Sequence, residues 1–126
     1  MKLDGYFSEK QGLGIFSSAN RDGEVNSAVY AKPHILENGN VAFIMRDRLT
    51  HKNVSENPNA NYLFIEHDNG FHGIRLNLEM VDEITDPEII KKMARRYPES
   101  DEKRFLASFK VLKALQLIGG EEIELD

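Results

Sequence analysis

Apolar and polar residues alternate along most of this chain, and that period of two predicts strands. From Gly12 to Ala19, Leu13, Ile15 and Ser17 share one face, and Asn20-Arg21-Asp22-Gly23 forms a turn in which glycine supplies a positive backbone angle. The segment therefore opens a hairpin. Its partner, Val25 to Ile35, sets Val25, Ser27, Val29, Ala31 and Ile35 on an expected core face. Asn26, Ala28, Tyr30, Lys32 and His34 fall on a chemically mixed face, and Pro33, which has no backbone donor, suits an edge or a bulge. Glu37-Asn38-Gly39-Asn40 supplies an Asn-Gly turn into a third strand, Val41 to Arg46. Tyr6 to Gln11 is too short and mixed to separate a helical turn from an edge segment.

After Arg46 the period changes. Thr50 is an expected N-cap for a short helix that stops before Pro58, because a residue preceding proline is pushed out of the helical region. Ala60 to Glu66 reads as a strand covered on both sides, with Tyr62 and Phe64 opposite Leu63 and Ile65. His67-Asp68-Asn69-Gly70 turns the chain into Phe71 to Asp82, whose Ile74, Leu76, Leu78 and Met80 point inward while Arg75 faces a ligand or a partner chain. Thr85-Asp86-Pro87 starts a longer helix running to about Tyr97, with Ile89, Ile90, Met93 and Tyr97 as its buried stripe. Pro98 to Lys103 is an expected solvated loop. Leu106 to Ile118 then recurs at period two through Ala107, Phe109, Val111, Leu115 and Leu117, with a weaker helical alternative. Gly119-Gly120 leads into Ile123-Glu124-Leu125, a candidate closing strand. The order predicts a mainly β fold: an antiparallel split β-barrel of six or seven strands, with a short helix after the third strand and a longer helix near 86–97. One domain covers residues 1–126.

Composition narrows the function. The net charge of −5 argues against nucleic acid as a partner, while a local basic patch can still hold a small phosphorylated ligand. The absence of cysteine excludes disulfides, thiolate nucleophiles and thiolate metal sites. No apolar run approaches the roughly 20 residues of a membrane span and no signal-peptide core follows Met1, so a cytoplasmic protein is expected. Glu66, His67, Asp68 and His72 read better as a solvated hairpin than as a metal site, and Ser17 and Ser18 lack the elbow of a nucleophile. The informative stretch is Met45-Arg46-Asp47-Arg48-Leu49-Thr50-His51-Lys52-Asn53. Cations and a hydroxyl gather there where a strand becomes a helix, a junction suited to an anion because first-turn amides lack intrahelical partners. The alternative is a capped surface turn with solvated charges.

With that order in place, the chain resembles the pyridoxamine 5′-phosphate oxidase-like superfamily of FMN-binding split barrels. The resemblance is carried by Gly14-Ile15-Phe16-Ser17-Ser18 with Asp22-Gly23, by Val25-Asn26-Ser27-Ala28-Val29-Tyr30, by Val41-Ala42-Phe43-Ile44-Met45, by Lys52-Asn53-Val54-Ser55-Glu56-Asn57-Pro58, and by Gly73 with Arg75. It implies FMN at a homodimer interface, with ring contacts at Ser27, Ala28, Val29, Tyr30, Met45 and Arg46. It implies phosphate contacts among Arg48, Thr50, His51, Lys52 and Asn53. If Asn53-Val54 anchors the register, Thr50 takes the family's lysine position; if the basic pair anchors it, His51-Lys52 does. The arginine- and tryptophan-containing C-terminal segment of the true vitamin oxidase has no counterpart here, which disfavours pyridoxamine phosphate oxidation. The implied function is a flavin-dependent oxidoreductase or electron carrier with an unidentified small-molecule substrate or redox partner and no protein acid or base. The alternatives are a haem- or deazaflavin-binding barrel and a cofactor-free dimeric interaction module.

Overall fold

The computed structural model describes residues 1–67, 69–96 and 102–126. Helix α1 (Leu3–Glu9) is followed by strands β1 (Gly12–Ala19), β2 (Val25–Val29), β3 (His34–Ile35) and β4 (Val41–Arg46), then helix α2 (Leu49–Glu56). Strands β5 (Asn59–Glu66) and β6 (Gly73–Ile84), helix α3 (Pro87–Met93) and strand β7 (Arg104–Gln116) complete the order. All seven strands form one antiparallel sheet in the order β2-β1-β5-β6-β7-β4-β3. The fold class expected from the sequence is therefore the one observed. The sheet curls until β2 and β3, adjacent in sequence, lie at its two edges, and that unpaired seam is the split of the barrel.

The core is aromatic. Phe16, Phe43, Tyr62, Phe64 and Phe109 are each no more than 2% exposed, and Phe43 meets Phe16 and Tyr62 with ring centroids 5.1 and 5.0 Å apart. Close offset and edge contacts of this kind add to the stabilisation from burial itself. Segment 6–11, unassigned from sequence, is mostly helix α1, because Leu3 and Phe7 one turn apart close one end of the core.

Two expectations about strand faces are corrected. Val25 and Val29 alternate as anticipated but point outward, 73% and 74% exposed, whereas Tyr30 on the opposite set packs on Phe16 at 5.3 Å. An edge strand pairs on one side only, so alternation reveals two faces without saying which one the core takes. The expected strand Val25 to Ile35 also divides into β2 and β3. Side chains take the intervening carbonyls: the Tyr62 hydroxyl donates to Ala31 O at 3.1 Å and to Tyr30 O at 3.3 Å, and Arg95 donates to Lys32 O at 3.0 Å. Backbone groups satisfied that way need no ladder.

In β7 the period of two is interrupted. Asn77 pairs with Lys113 but Leu78 with Val111, and Met80 pairs with Phe109 but Asp82 with Ser108, so Leu112 and Val81 are extra residues in bulges. Each bulge reverses the faces beyond it. Ala114 is therefore buried where the uninterrupted pattern put Leu115 inside. Arg75, expected to face a ligand or partner, donates instead to Gln116 O at 2.9 Å and to Gly119 O, fixing the turn after β7. The candidate closing strand contributes one isolated bridge, Glu122 with Leu115. Helix α3 starts as expected with Asp86 accepting from the Glu88 amide at 2.9 Å, but it ends at Met93. Ile90 is its one buried residue and Ile89 is 41% exposed; Tyr97 and the start of the following loop lie outside the described residues.

Candidate functional site

Strand β4 brings Ile44 and Arg46 beside the exit of β2, and α2 begins three residues later. Between them lies an open cleft of about 750 Å³ lined by Asn26, Ser27, Ala28, Val29, Tyr30, Ala31, Ile44, Arg46, Arg48, Leu49 and Thr50. That volume falls within the range of small-molecule sites. Its walls combine apolar surface from Ala28, Val29, Ile44 and Leu49 with two guanidinium groups, the hydroxyls of Ser27 and Thr50, and a phenol.

Seven of the residues expected to hold a cofactor meet here: Ser27, Ala28, Val29, Tyr30, Arg46, Arg48 and Thr50. The other four are placed elsewhere. Met45 is fully buried in the core, because its neighbours Ile44 and Arg46 take the outward positions of β4. The His51 ring stacks on Phe105 at 3.6 Å and pairs with Glu83, which turns it toward β6 and β7. Asn53, 2% exposed, donates to the Ser18 hydroxyl at 3.1 Å. Lys52 is exposed and does not line the cleft.

Helix geometry explains this sorting. Thr50, Asn53 and Val54 are the buried residues of α2, and their i, i+3, i+4 spacing is one helical face. The expectation that Thr50 is the N-cap is corrected: Arg48 occupies that position in extended conformation without a side-chain cap bond. An arginine cannot accept a hydrogen bond, so no capping oxygen comes from its side chain. The uncapped first turn borders the cleft, with the Thr50 hydroxyl at its inner edge. Burial raises the Tyr30 phenol above its ordinary pKa, and a hydrogen bond with Thr50 acts in the opposite direction. The two hydroxyls thus connect the end of β2 to the start of α2.

Among the described residues, a single carboxylate meets the cationic side. Glu102 is the carboxylate facing both arginines, with Oε1 3.0 Å from Arg48 Nε and Oε2 3.5 Å from an Arg46 Nη. Among the described residues, one carboxylate is thus shared by two guanidinium groups, and Arg48, its side chain 67% exposed, can reorient toward an anion. The site is suited to a ligand with a flat apolar body and an anionic end. Sequence reasoning missed Asn26, Ala31, Ile44 and Leu49 as lining residues. Ile44 was detectable as the outward position of β4, and Leu49 as a leucine at the outset of a helix whose buried face lies elsewhere.

Comparison with solved structures places this arrangement. An FMN-binding protein from Syntrophomonas wolfei superposes with a TM-score of 0.71 at 21% identity, covering 91% of this chain and 83% of its own. An F420 reductase gives 0.68 at 16% identity, with 86% and 93% covered. A candidate pyridoxamine 5′-phosphate oxidase from Lactobacillus delbrueckii gives 0.65 at 9% identity, with 90% and 89% covered. The fold is the pyridoxamine 5′-phosphate oxidase-like split barrel. By sequence, neither a protein-family model nor a curated protein matches the chain. The split barrel was thus legible through the order of its elements, and at these identities the likeness concerns the fold. Among the described residues no helix of this split barrel is long and apolar enough to cross a membrane, and no cluster of three potential metal ligands occurs.

Proposed function

We propose that this split barrel is an FMN-binding flavoprotein acting as an oxidoreductase or electron carrier. The observation that carries the reading is the cleft itself, whose apolar strand wall runs into a helix start bearing Arg46, Arg48 and Thr50. That donor set fits FMN: the guanidinium groups and the Thr50 hydroxyl would hold the phosphate, and Ala28, Val29, Tyr30 and Ile44 would flank the ring. Bound flavin would supply the capacity to accept and return electrons. The chain's own part is to orient the ring, to seat the phosphate against uncapped amides and to limit water at the apolar wall. Val25 and Val29 on the edge strand, exposed at 73% and 74%, support a homodimer in which a second copy covers the open side of the cleft.

The test is titration of the purified protein with FMN, riboflavin and F420, following the visible spectrum. Saturable FMN uptake with a perturbed flavin band is expected, and protein that ignores FMN at saturating concentration overturns the proposal; uptake of F420 alone would replace it with a deazaflavin protein. Arg48→Ala and Thr50→Ala should each weaken FMN about tenfold to a hundredfold and leave riboflavin nearly unchanged, since a hydrogen bond to a charged group contributes roughly 1.5–3 kcal/mol. Lys52→Ala is the comparison. Equal losses for both flavins would remove the phosphate from this seat.

A further inference from the structure

The two arginines that line the cleft are held by a carboxylate that is not among its lining residues. Strand β4 pairs with β7 as far as Arg46 opposite Arg104, and two residues beyond that pair stand Arg48 on one side and Glu102 on the other. Opposite and diagonal positions of neighbouring strands lie within reach of long side chains. Arg48 accordingly donates from Nε to Glu102 Oε1 at 3.0 Å and from an Nη to Oε2 at 3.4 Å, and the same Oε2 lies 3.5 Å from an Arg46 Nη. Asp47, between the arginines in sequence, makes no ion pair with either among the described residues.

This pair is exchangeable. The side chains of Arg46, Arg48 and Glu102 are 46%, 67% and 26% exposed, and ion pairs in water contact contribute little net stability, because water competes and both side chains give up rotamer freedom. A phosphate brings more charge than a carboxylate and three oxygens to the same donors. The Nε–Nη edge of Arg48, which grips an oxyanion with two parallel bonds, is the edge that Glu102 occupies. Keeping Glu102 and a phosphate on one guanidinium sets like charges side by side, so the two oppose each other. An anion tethered beside the seat also competes at an effective concentration that a free ligand has to overcome.

We infer that Glu102 is a tethered competitor of the flavin phosphate: it occupies the guanidinium groups of the empty seat, loses them when FMN binds, and so sets how strongly this protein prefers FMN to riboflavin. The inference rests on the flavoprotein reading for the identity of the ligand, whereas competition for Arg48 holds for any phosphate. The exchange requires only side-chain rotation, by Arg48 or by Glu102, and leaves the displaced carboxylate in contact with water.

Glu102→Gln keeps the length and shape of the side chain and removes its charge. FMN, riboflavin and inorganic pyrophosphate are titrated by calorimetry into the wild type, into this variant and into Glu37→Gln, which removes the same charge from the β3–β4 turn outside the cleft. Glu102→Gln should tighten FMN about tenfold, the scale of one ionic hydrogen bond freed from competition, and shift pyrophosphate in the same direction while riboflavin stays unchanged. Glu37→Gln should behave as the wild type, and in an Arg48→Ala background the gain should largely disappear. In the wild type the Arg48 Nε–H signal, followed by NMR, should move on addition of FMN and stay in place with riboflavin; an unmoved signal at FMN saturation overturns the inference. Weaker FMN binding by Glu102→Gln would make the carboxylate a brace for the arginines and overturn it too, as would an equal gain in Glu37→Gln or in the Arg48→Ala background. Normal FMN uptake with neither phosphate ligand affected removes the competitor and leaves the flavin reading. No FMN uptake by any variant, with pyrophosphate tightened by Glu102→Gln, removes the flavin reading and leaves the competitor.

Discussion

Replacing Asn53 by alanine separates a structural role from a ligand role at the start of α2. Asn53 and Ser18 are 2% and 3% exposed, and the 3.1 Å bond from the Asn53 amide to the Ser18 hydroxyl joins α2 to β1 inside the barrel. Removing either partner leaves a buried polar group without it, at a cost of about 1–3 kcal/mol, whereas removing both eliminates the orphan. Asn53→Ala and Ser18→Ala should therefore each lower the unfolding free energy by about 2 kcal/mol, and the double variant by about 3 kcal/mol rather than their sum. For a chain of this length that corresponds to roughly 4 °C in Tm per kcal/mol. Urea unfolding of the four proteins, with m-values compared, measures the cycle. Additive losses would refute the coupling. Because Thr50 and Leu49 sit on the same short helix, Asn53→Ala should also weaken FMN and riboflavin by similar factors; selective loss of FMN would show that Asn53 contacts the phosphate directly.

Two further perturbations address other parts of the barrel. Arg75→Ala removes the bonds to the carbonyls of Gln116 and Gly119, so amide exchange should accelerate at Ile123, whose N–H is held by Ala114 O at 2.8 Å; unchanged protection there would mean that the tail is retained by packing alone. Glu66 gives an acid dependence. Burial acts to raise its pKa, but the Tyr6 hydroxyl at 2.7 Å, the Asn69 amide and the charges of Lys10 and His72 outweigh it and hold the carboxyl below its ordinary value. A carboxyl depressed in the folded state stabilises the fold above its unfolded pKa, and the contribution is lost as pH falls through the folded value. Tyr6→Phe should accordingly flatten the fall in urea midpoint between about pH 5 and about pH 3, and superimposable profiles for the two proteins would exclude the bond as a source of acid sensitivity.

Much of the architecture was legible because strand signals are local. Glycine in the Asn20–Gly23 turn, the Asn38-Gly39 hairpin, the proline after α2 and the Asp86-Pro87 start each act within a few residues, where sterics and capping decide the conformation. Facing was less legible. Val25 and Val29 carry the β pattern but not the information that β2 is an edge, and Leu112 and Val81 look like ordinary strand residues until pairing makes them bulges.

The candidate site divides along the same line. Position in the chain identified the strand-to-helix junction and the β2 segment, since an anion seat needs free amides and cations close in sequence. Which of Thr50, His51, Lys52 and Asn53 face the cleft depends on the rotation of α2, and that rotation is set by Val54, Asn53 and Thr50 packing on the barrel. A recess of about 260 Å³ lined in part by His34, Arg46, Arg95, Arg96 and Arg104 lies further from the reach of sequence, since these residues span about half the chain and converge only when β4 pairs with β7. By itself, then, the sequence determined most of the elements, their order and hence the split barrel, because those follow from local periodicity. Only the tertiary structure decided which faces turn inward and which charges share a cavity, because those depend on pairing between residues that are distant along the chain.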